Sequence, residues 1–296
     1  MTESLQQLLH GYSGGHRLLA SSVVLPRLAD QVAIELSDLS GSAVDPSLLP
    51  YLTGYPLPST DFYALAYTWT ADEMPRPGSV WTHTLLIPQS QVAIASSFRP
   101  MLGLFVRPSP GDSFDRYKEA IPIPIPVDLA TNGHVGVEDA LKILVSLYQY
   151  ARPALVPAKS SDRFLHTILN VWRQQWASLR QRFTFCTAAF APRRLLDDDF
   201  WLQVVPERSL HNWPQTGRGA SGRGELQIDS AEGWLIEAAE DVAELSDMVS
   251  RNATTANLPP DRLLFRPFVE VLISAEQRSS KSIALAVDLC VEFMQR

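Results

Sequence analysis

FYALAYTWT (residues 62–70) and SVWTHTLLIP (residues 79–88) are the two stretches on which the fold turns. Both are rich in aromatic and β-branched residues, which suit a pleated, half-buried surface. Between them lies ADEMPRPG, with two prolines and a glycine. Two such runs joined by such a loop predict a β-hairpin with a long connection. Side chains alternate along a strand, so Trp81, His83, Leu85 and Ile87 share one face. Val80, Thr82, Thr84 and Leu86 share the other.

Upstream stands HGYSGGHRLLASS (residues 10–22). The paired Gly14 and Gly15 between apolar runs predict a tight turn, because such turns need φ > 0. LQQLLH (5–10) fits a strand or a short helix, and HRLLASSVV (16–24) a strand. PRLADQVAIELSDL (26–39) has helical periodicity and ends before Gly41. PYLTGYPLPST (50–60) is broken by prolines and Gly54 and reads as a loop. Past the hairpin, PQSQVAIASSF (88–98) reads as a helix. IPIPIPVD (121–128) lacks alternate amide donors, so it is an edge or a linker. We place a domain boundary after it.

The second part reads as mainly helical. Leu141, Leu144, Val145 and Tyr148 recur at helical spacing. Leu165, Ile168, Leu169, Trp172, Trp176 and Leu179 form one stripe, with Ser161 or Asp162 to cap it. DFWLQVVPE (199–207) reads as a strand, and QTGRGASGRGE (215–225) as a mobile Gly/Arg loop. WLIEAAEDVAELSDMVS (234–250) and SIALAVDLCVEFMQR (282–296) read as helices. The expected fold is α+β. A domain built on an antiparallel sheet spans 1–128, and a mainly helical domain with a strand near 199–206 spans 129–296.

Composition narrows the function. The chain has 296 residues, 46% hydrophobic and 19% charged, with a formal net charge of −7. A packed core is expected, and disorder throughout is not. The negative charge argues against a protein that grips nucleic-acid phosphates. Two cysteines, Cys186 and Cys290, make neither a disulfide framework nor a Cys-rich zinc module. MTESLQQLLHGYSGG has no secretory pattern, and no apolar run is long enough to span a bilayer. A cytoplasmic protein without a membrane partner is the expectation.

Four chemistries fit parts of the sequence. Ser13, His16 and a carboxylate such as Asp38 resemble a triad in composition, with His83 a second histidine. But GYSGG lacks the GxSxG spacing of a nucleophile elbow. Cys186 in FTFCTAAF reads as a small core hydrophobe. His10, His16 and His83 would suit zinc if they converged, yet no local ligand spacing supports it, so no metal is assigned. The Gly-rich turn offers a ligand or anion site made of His10, Gly14, Gly15, His16 and Arg17. It lacks the Lys-Ser/Thr of a P-loop, and no cofactor is assigned. Finally, Tyr12, Tyr55, Arg76 and Trp81 are aromatic and arginine residues near loops, which suit a protein interface.

Five strings occur in order: HGYSGGHRLLASS, LSDLSG, YLTGYPL, YALAYTW and EMPRPGSVWTHTLLI. Together they resemble the N-terminal domain of the bacterial GTPase-associated protein one family, over roughly residues 8–90. FTFCTAAFAPRR and FWLQVVPE resemble that family's middle region more loosely, to about residue 208. The resemblance implies a component of a bacterial conflict, or defence, system. Its partners would be a GTPase or other NTPase and effector proteins. It supplies no catalytic residues. The expectation is a non-enzymatic adaptor, and a homo- or hetero-oligomer fits that role. The alternatives are a hydrolase using His16 or His83 with Ser13, and a nucleotide or small-ligand sensor at the turn.

Overall fold

The computed structural model describes residues 4–41, 45–95, 98–109, 111–123, 137–148, 151, 153–159, 161–207, 213 and 242–276. Its centre is one mixed sheet. β1 (Ser4–Tyr12) folds back on β2 (His16–Ser21), and β4 (Phe62–Thr70) on β5 (Val80–Pro88). β1 also pairs with β5, and β3 (Tyr51–Pro56) with β4, all antiparallel. β6 (Ile121–Pro122) pairs with the start of β1. Then β8 (Phe185–Cys186) pairs antiparallel with β3. β9 (Arg194–Leu195) and β10 (Asp198–Asp199) pair with each other apart from this sheet, and β11 (Leu202–Pro206) lies parallel to β8 and to β7 (Ala154–Ala158). The order is β2-β1-β5-β4-β3-β8-β11-β7, so the sheet runs across residue 128. Helices follow in the later half, and the class is α+β.

Both faces of β5 are covered. Every residue from Val80 to Ile87 is buried. One face packs under α1 (Arg27–Ser37) and the 187–201 segment, where Tyr51 meets Phe190 and Tyr55 meets Phe200. α1 buries Ala29, Val32, Ala33 and Leu36, the apolar stripe expected of an amphipathic helix. The other face packs under α2 (Gln89–Ile94), α3 (Arg99–Leu102) and the turn Asp115–Lys118. There Tyr63 meets Phe98, which stacks on Trp172 of α5 (Asp162–Gln174). α4 (Val137–Tyr148), α7 (Val242–Thr255) and α8 (Phe265–Glu276) complete the described helices, with the short α6 (Ala177–Arg180) after α5.

Three segments differ from the sequence reading. Residues 51–56, expected in a loop, are β3, with five of six residues buried. Gly54 is there for space rather than for a turn. A Cβ at that position would run into the Phe185 ring and lie 2.7 Å from the Tyr63 hydroxyl. Gly54→Ala should therefore cost about 1–3 kcal/mol through overpacking, read as a lowered denaturation midpoint. β7 was not foreseen, because PALVPA holds two prolines. It sits at the sheet's end, where Pro157 costs no inner ladder bond. The long helical stripe is broken after Gln174. Gln175 and Trp176 are extended, and α6 restarts the helix. Its residues Ile168, Leu169, Trp172, Trp176 and Leu179 are still buried. The expected loop at 215–225, the first part of the 234–250 helix and the 282–296 helix lie outside the described residues.

Candidate functional site

Motifs far apart in sequence meet at one end of the sheet. Gly14 and Gly15 take φ of 69° and 143°, and the chain reverses there from β1 into β2. The Ser13 N–H donates to the Gly15 carbonyl at 2.9 Å. The turn sets His16 opposite Tyr12, and the His16 ring stacks on His10 with centroids 6.0 Å apart. His10 is fully buried, and neither ring nitrogen has a hydrogen-bond partner among the described residues. Burial, with His16 beside it, pushes its pKa down to about 3, so its ring is neutral at pH 7.

His16 Nε2 lies 2.7 Å from Ser37 Oγ at the end of α1. The Ser37 hydroxyl donates its proton to the Ile34 carbonyl at 2.8 Å. Ser37 therefore accepts from His16 Nε2–H, and His16 Nδ1 faces Asp38 at 4.0 Å. Burial lowers the pKa of His16. Asp38 opposes that shift, while Arg193 and Arg76 reinforce it. From here a row of polar side chains crosses the sheet. Thr82 Oγ1 donates to the Ser37 carbonyl at 2.6 Å, and Thr68 Oγ1 meets Thr82 Oγ1 at 2.9 Å. Tyr51 stands opposite Thr68.

Arg193 closes the row. It is 4% exposed, and its guanidinium donates to the carbonyls of Glu35, Leu36 and Asp38 and to the Tyr51 hydroxyl. The last carbonyls of a helix have no partner within it and carry partial negative charge. A buried cation there satisfies both needs. Ser40 Oγ also accepts from the Phe190 and Ala191 amides, so the string LSDLSG is stitched to FAPRR. The device recurs. Arg262 donates to the Leu147 carbonyl in the last turn of α4 and to the Ala151 carbonyl just after it, and Arg180 to the Arg173 and Ala95 carbonyls near the ends of α5 and α2.

The residues of the alternative hydrolase reading, Ser13, His16 and His83, form no hydrogen-bonded set among the described residues. Ser13 is exposed in the turn, and no hydrogen bond joins it to a histidine among the described residues. The serine that His16 does meet is Ser37, which is buried with its proton committed to Ile34. That is the reverse of a hydroxyl activated by a base. His83 lies on the opposite sheet face from His10. Its Nε2 pairs with Gln7 Oε1 at 2.9 Å, and Nδ1 accepts from the Val106 amide at 3.1 Å. Gln7 in turn donates to the Arg116 and Glu119 carbonyls. His83 thus ties the 106–119 segment to β5, and burial pushes its pKa down to about 3. His10, His16 and His83 do not converge. Among the described residues, no group of three or more His, Cys, Asp or Glu is placed to hold a metal ion.

The ligand and interface sets divide by depth. Gly14, Gly15, His16 and Arg17 line the turn, while His10 lies beneath it. Tyr55 and Trp81 are at most 2% exposed and belong to the core of this chain. Tyr12 is half-buried and Arg76 is exposed. The loop that carries Arg76 is held at its base. Glu73 accepts from Arg107 at 2.9 and 2.7 Å and from Trp81 Nε1 at 2.7 Å. Sequence reasoning missed Ser37, Glu73 and Arg193. The signal for Ser37 and Arg193 was present in LSDLSG and FAPRR, but nothing in the sequence said that these strings touch.

Residues 4–105, about a third of the chain, match the family described as GTPase-associated protein 1, N-terminal domain type 1. This is the family that the five ordered strings resemble, and the matched segment holds β1 to β5 and α1 to α3. No curated protein and no solved structure matches the chain. The matched residues therefore point to GTPase-linked systems. No described helix is long and apolar enough to cross a membrane.

Proposed function

We propose that the chain is a non-enzymatic adaptor of a bacterial conflict system, coupling a partner GTPase or other NTPase to an effector. One observation carries this reading. The end of the sheet where the family strings meet presents a turn and an anchored arginine loop, while the only serine bonded to a described histidine there is buried and proton-committed. An exposed arginine on a held loop suits a binding hot spot, since little side-chain and loop freedom is left to lose.

Titration calorimetry with a purified GTPase encoded in the same operon tests the proposal. A complex is expected, and Arg76→Ala should weaken it at least about tenfold, or ~1.4 kcal/mol, without moving the melting temperature. Absence of binding at about 100 μM, a free energy near −5.5 kcal/mol, contradicts it.

A further inference from the structure

Two polar side chains, Gln7 of β1 and His83 of β5, are buried on the sheet face opposite α1. A buried amide or imidazole needs hydrogen-bond partners, or its lost hydration goes uncompensated. The two meet each other through His83 Nε2 and Gln7 Oε1. Their remaining partners all come from one segment, residues 106–119. Gln7 Nε2 donates to the Arg116 and Glu119 carbonyls, and His83 Nδ1 accepts from the Val106 amide. Each of these bonds goes to the segment's backbone, so the pair reads an extended chain and not a particular side chain.

Two rings of the segment press onto the same face. Phe114 meets Trp81 edge-on with centroids 5.9 Å apart, and Tyr117 meets His83 at 5.0 Å. Tyr117 and Trp81 form a small core with Leu9, Ala20 and Ala71, separate from the main one. The rest of the segment is thinly held. Among its described residues, just Pro108 and Tyr117 are buried. A stretch with so few buried contacts opens at lower cost than the strands beneath it. It also lies beyond residues 4–105, which match the family, whereas Gln7, His83 and Trp81 lie within them.

We propose that residues 106–119 are an autoinhibitory strap. They occupy a docking site that the matched domain offers to an extended, aromatic-bearing backbone, and they leave it as a unit. Opening bares Trp81 and the backbone-seeking groups of Gln7 and His83 while the sheet stays paired. Arg107 of the strap holds Glu73 at 2.7 Å, and Trp81 Nε1 bonds the same carboxylate at the base of the Arg76 loop. Release therefore also unties that loop. This last step rests on the binding role proposed for the loop; the strap does not.

The test needs the intact chain and no GTPase. In amide hydrogen exchange, residues 106–119 should exchange at least about a hundredfold faster than 80–87, with a weaker dependence on urea. A labelled peptide of residues 106–119 should bind Tyr117→Ala at least about tenfold more tightly than wild type, read by fluorescence anisotropy. In wild type the tethered segment competes at an effective concentration of the order of millimolar. The same peptide with alanine in place of its tyrosine should bind at least about tenfold more weakly. Arg107→Ala, which leaves both rings in the strap, is the second variant and should admit the peptide as well. Exchange at 106–119 that tracks 80–87 in rate and urea dependence would show a segment that opens with the whole sheet, and overturns the proposal. So does a peptide that binds neither variant, or that binds wild type as tightly.

Discussion

Arg193→Ala is expected to lower the unfolding free energy by about 3–5 kcal/mol. The side chain is almost fully buried and donates to three carbonyls at the end of α1 and to the Tyr51 hydroxyl. Truncation leaves four acceptors without this donor and a cavity between α1 and β3. Each buried acceptor left bare costs about 1–3 kcal/mol, reduced where water enters or the site collapses. Arg193→Lys keeps the charge but not the planar fork, so it should fall between wild type and alanine. Tyr51→Phe removes one acceptor and should cost about 1 kcal/mol. Urea denaturation of the three variants gives the ranking. An alanine variant within about 1 kcal/mol of wild type would mean that the helix end does not depend on this cation.

Acid should destabilise the chain well before its exposed carboxylates titrate. His10 and His83 have folded pKa values of about 3, against an ordinary value of 6.5. Between these values the unfolded chain binds more protons than the folded one, so stability rises with pH. The contribution is complete above about pH 6.5 and is lost as pH falls toward 3. At pH 5 each histidine costs about 2 kcal/mol, or about 4 kcal/mol together. His16, whose pKa is also lowered, acts in the same direction. The charged neighbours are Asp38, Arg193 and Arg76 around the His10–His16 pair and Arg116 near His83. Denaturation midpoints measured from pH 7.5 to 5 should fall steeply. His83→Gln, whose amide can still meet Gln7 and Val106, should flatten the slope by about one proton. A flat profile for the wild type would show that the two rings are solvated.

The hairpin of residues 62–88 was readable because its strands are β-rich and its loop is proline-rich. β5 was harder to read in depth. Its two faces carry different chemistry, yet both are covered, so alternation marked sides and not exposure. β3 was hidden because Gly54 and Pro56 speak for a turn locally, while a ring from residue 185 decides the matter over a long range. The same distance hid the site. His10, His16, Gly14 and Gly15 stood out as a group, and the structure does bring the two histidines together. Ser37, which meets His16, lies 21 positions downstream, and Arg193, which holds the Asp38 carbonyl beside it, lies far beyond that; sequence spacing says nothing of such contacts. Tyr55 and Trp81 illustrate the converse. Aromatics beside loops suited an interface, but a strand position beside a covered face put them in the core.

The central claim is that the end of the sheet carrying the family strings is a binding surface. Hydrogen exchange on the chain, alone and with the GTPase from its operon, tests this directly. The account predicts slowed exchange at residues 12–17 and 72–79 in the complex, lost in Arg76→Ala. Protection confined to other elements, or substrate turnover by the isolated chain that His16→Ala abolishes, would contradict it.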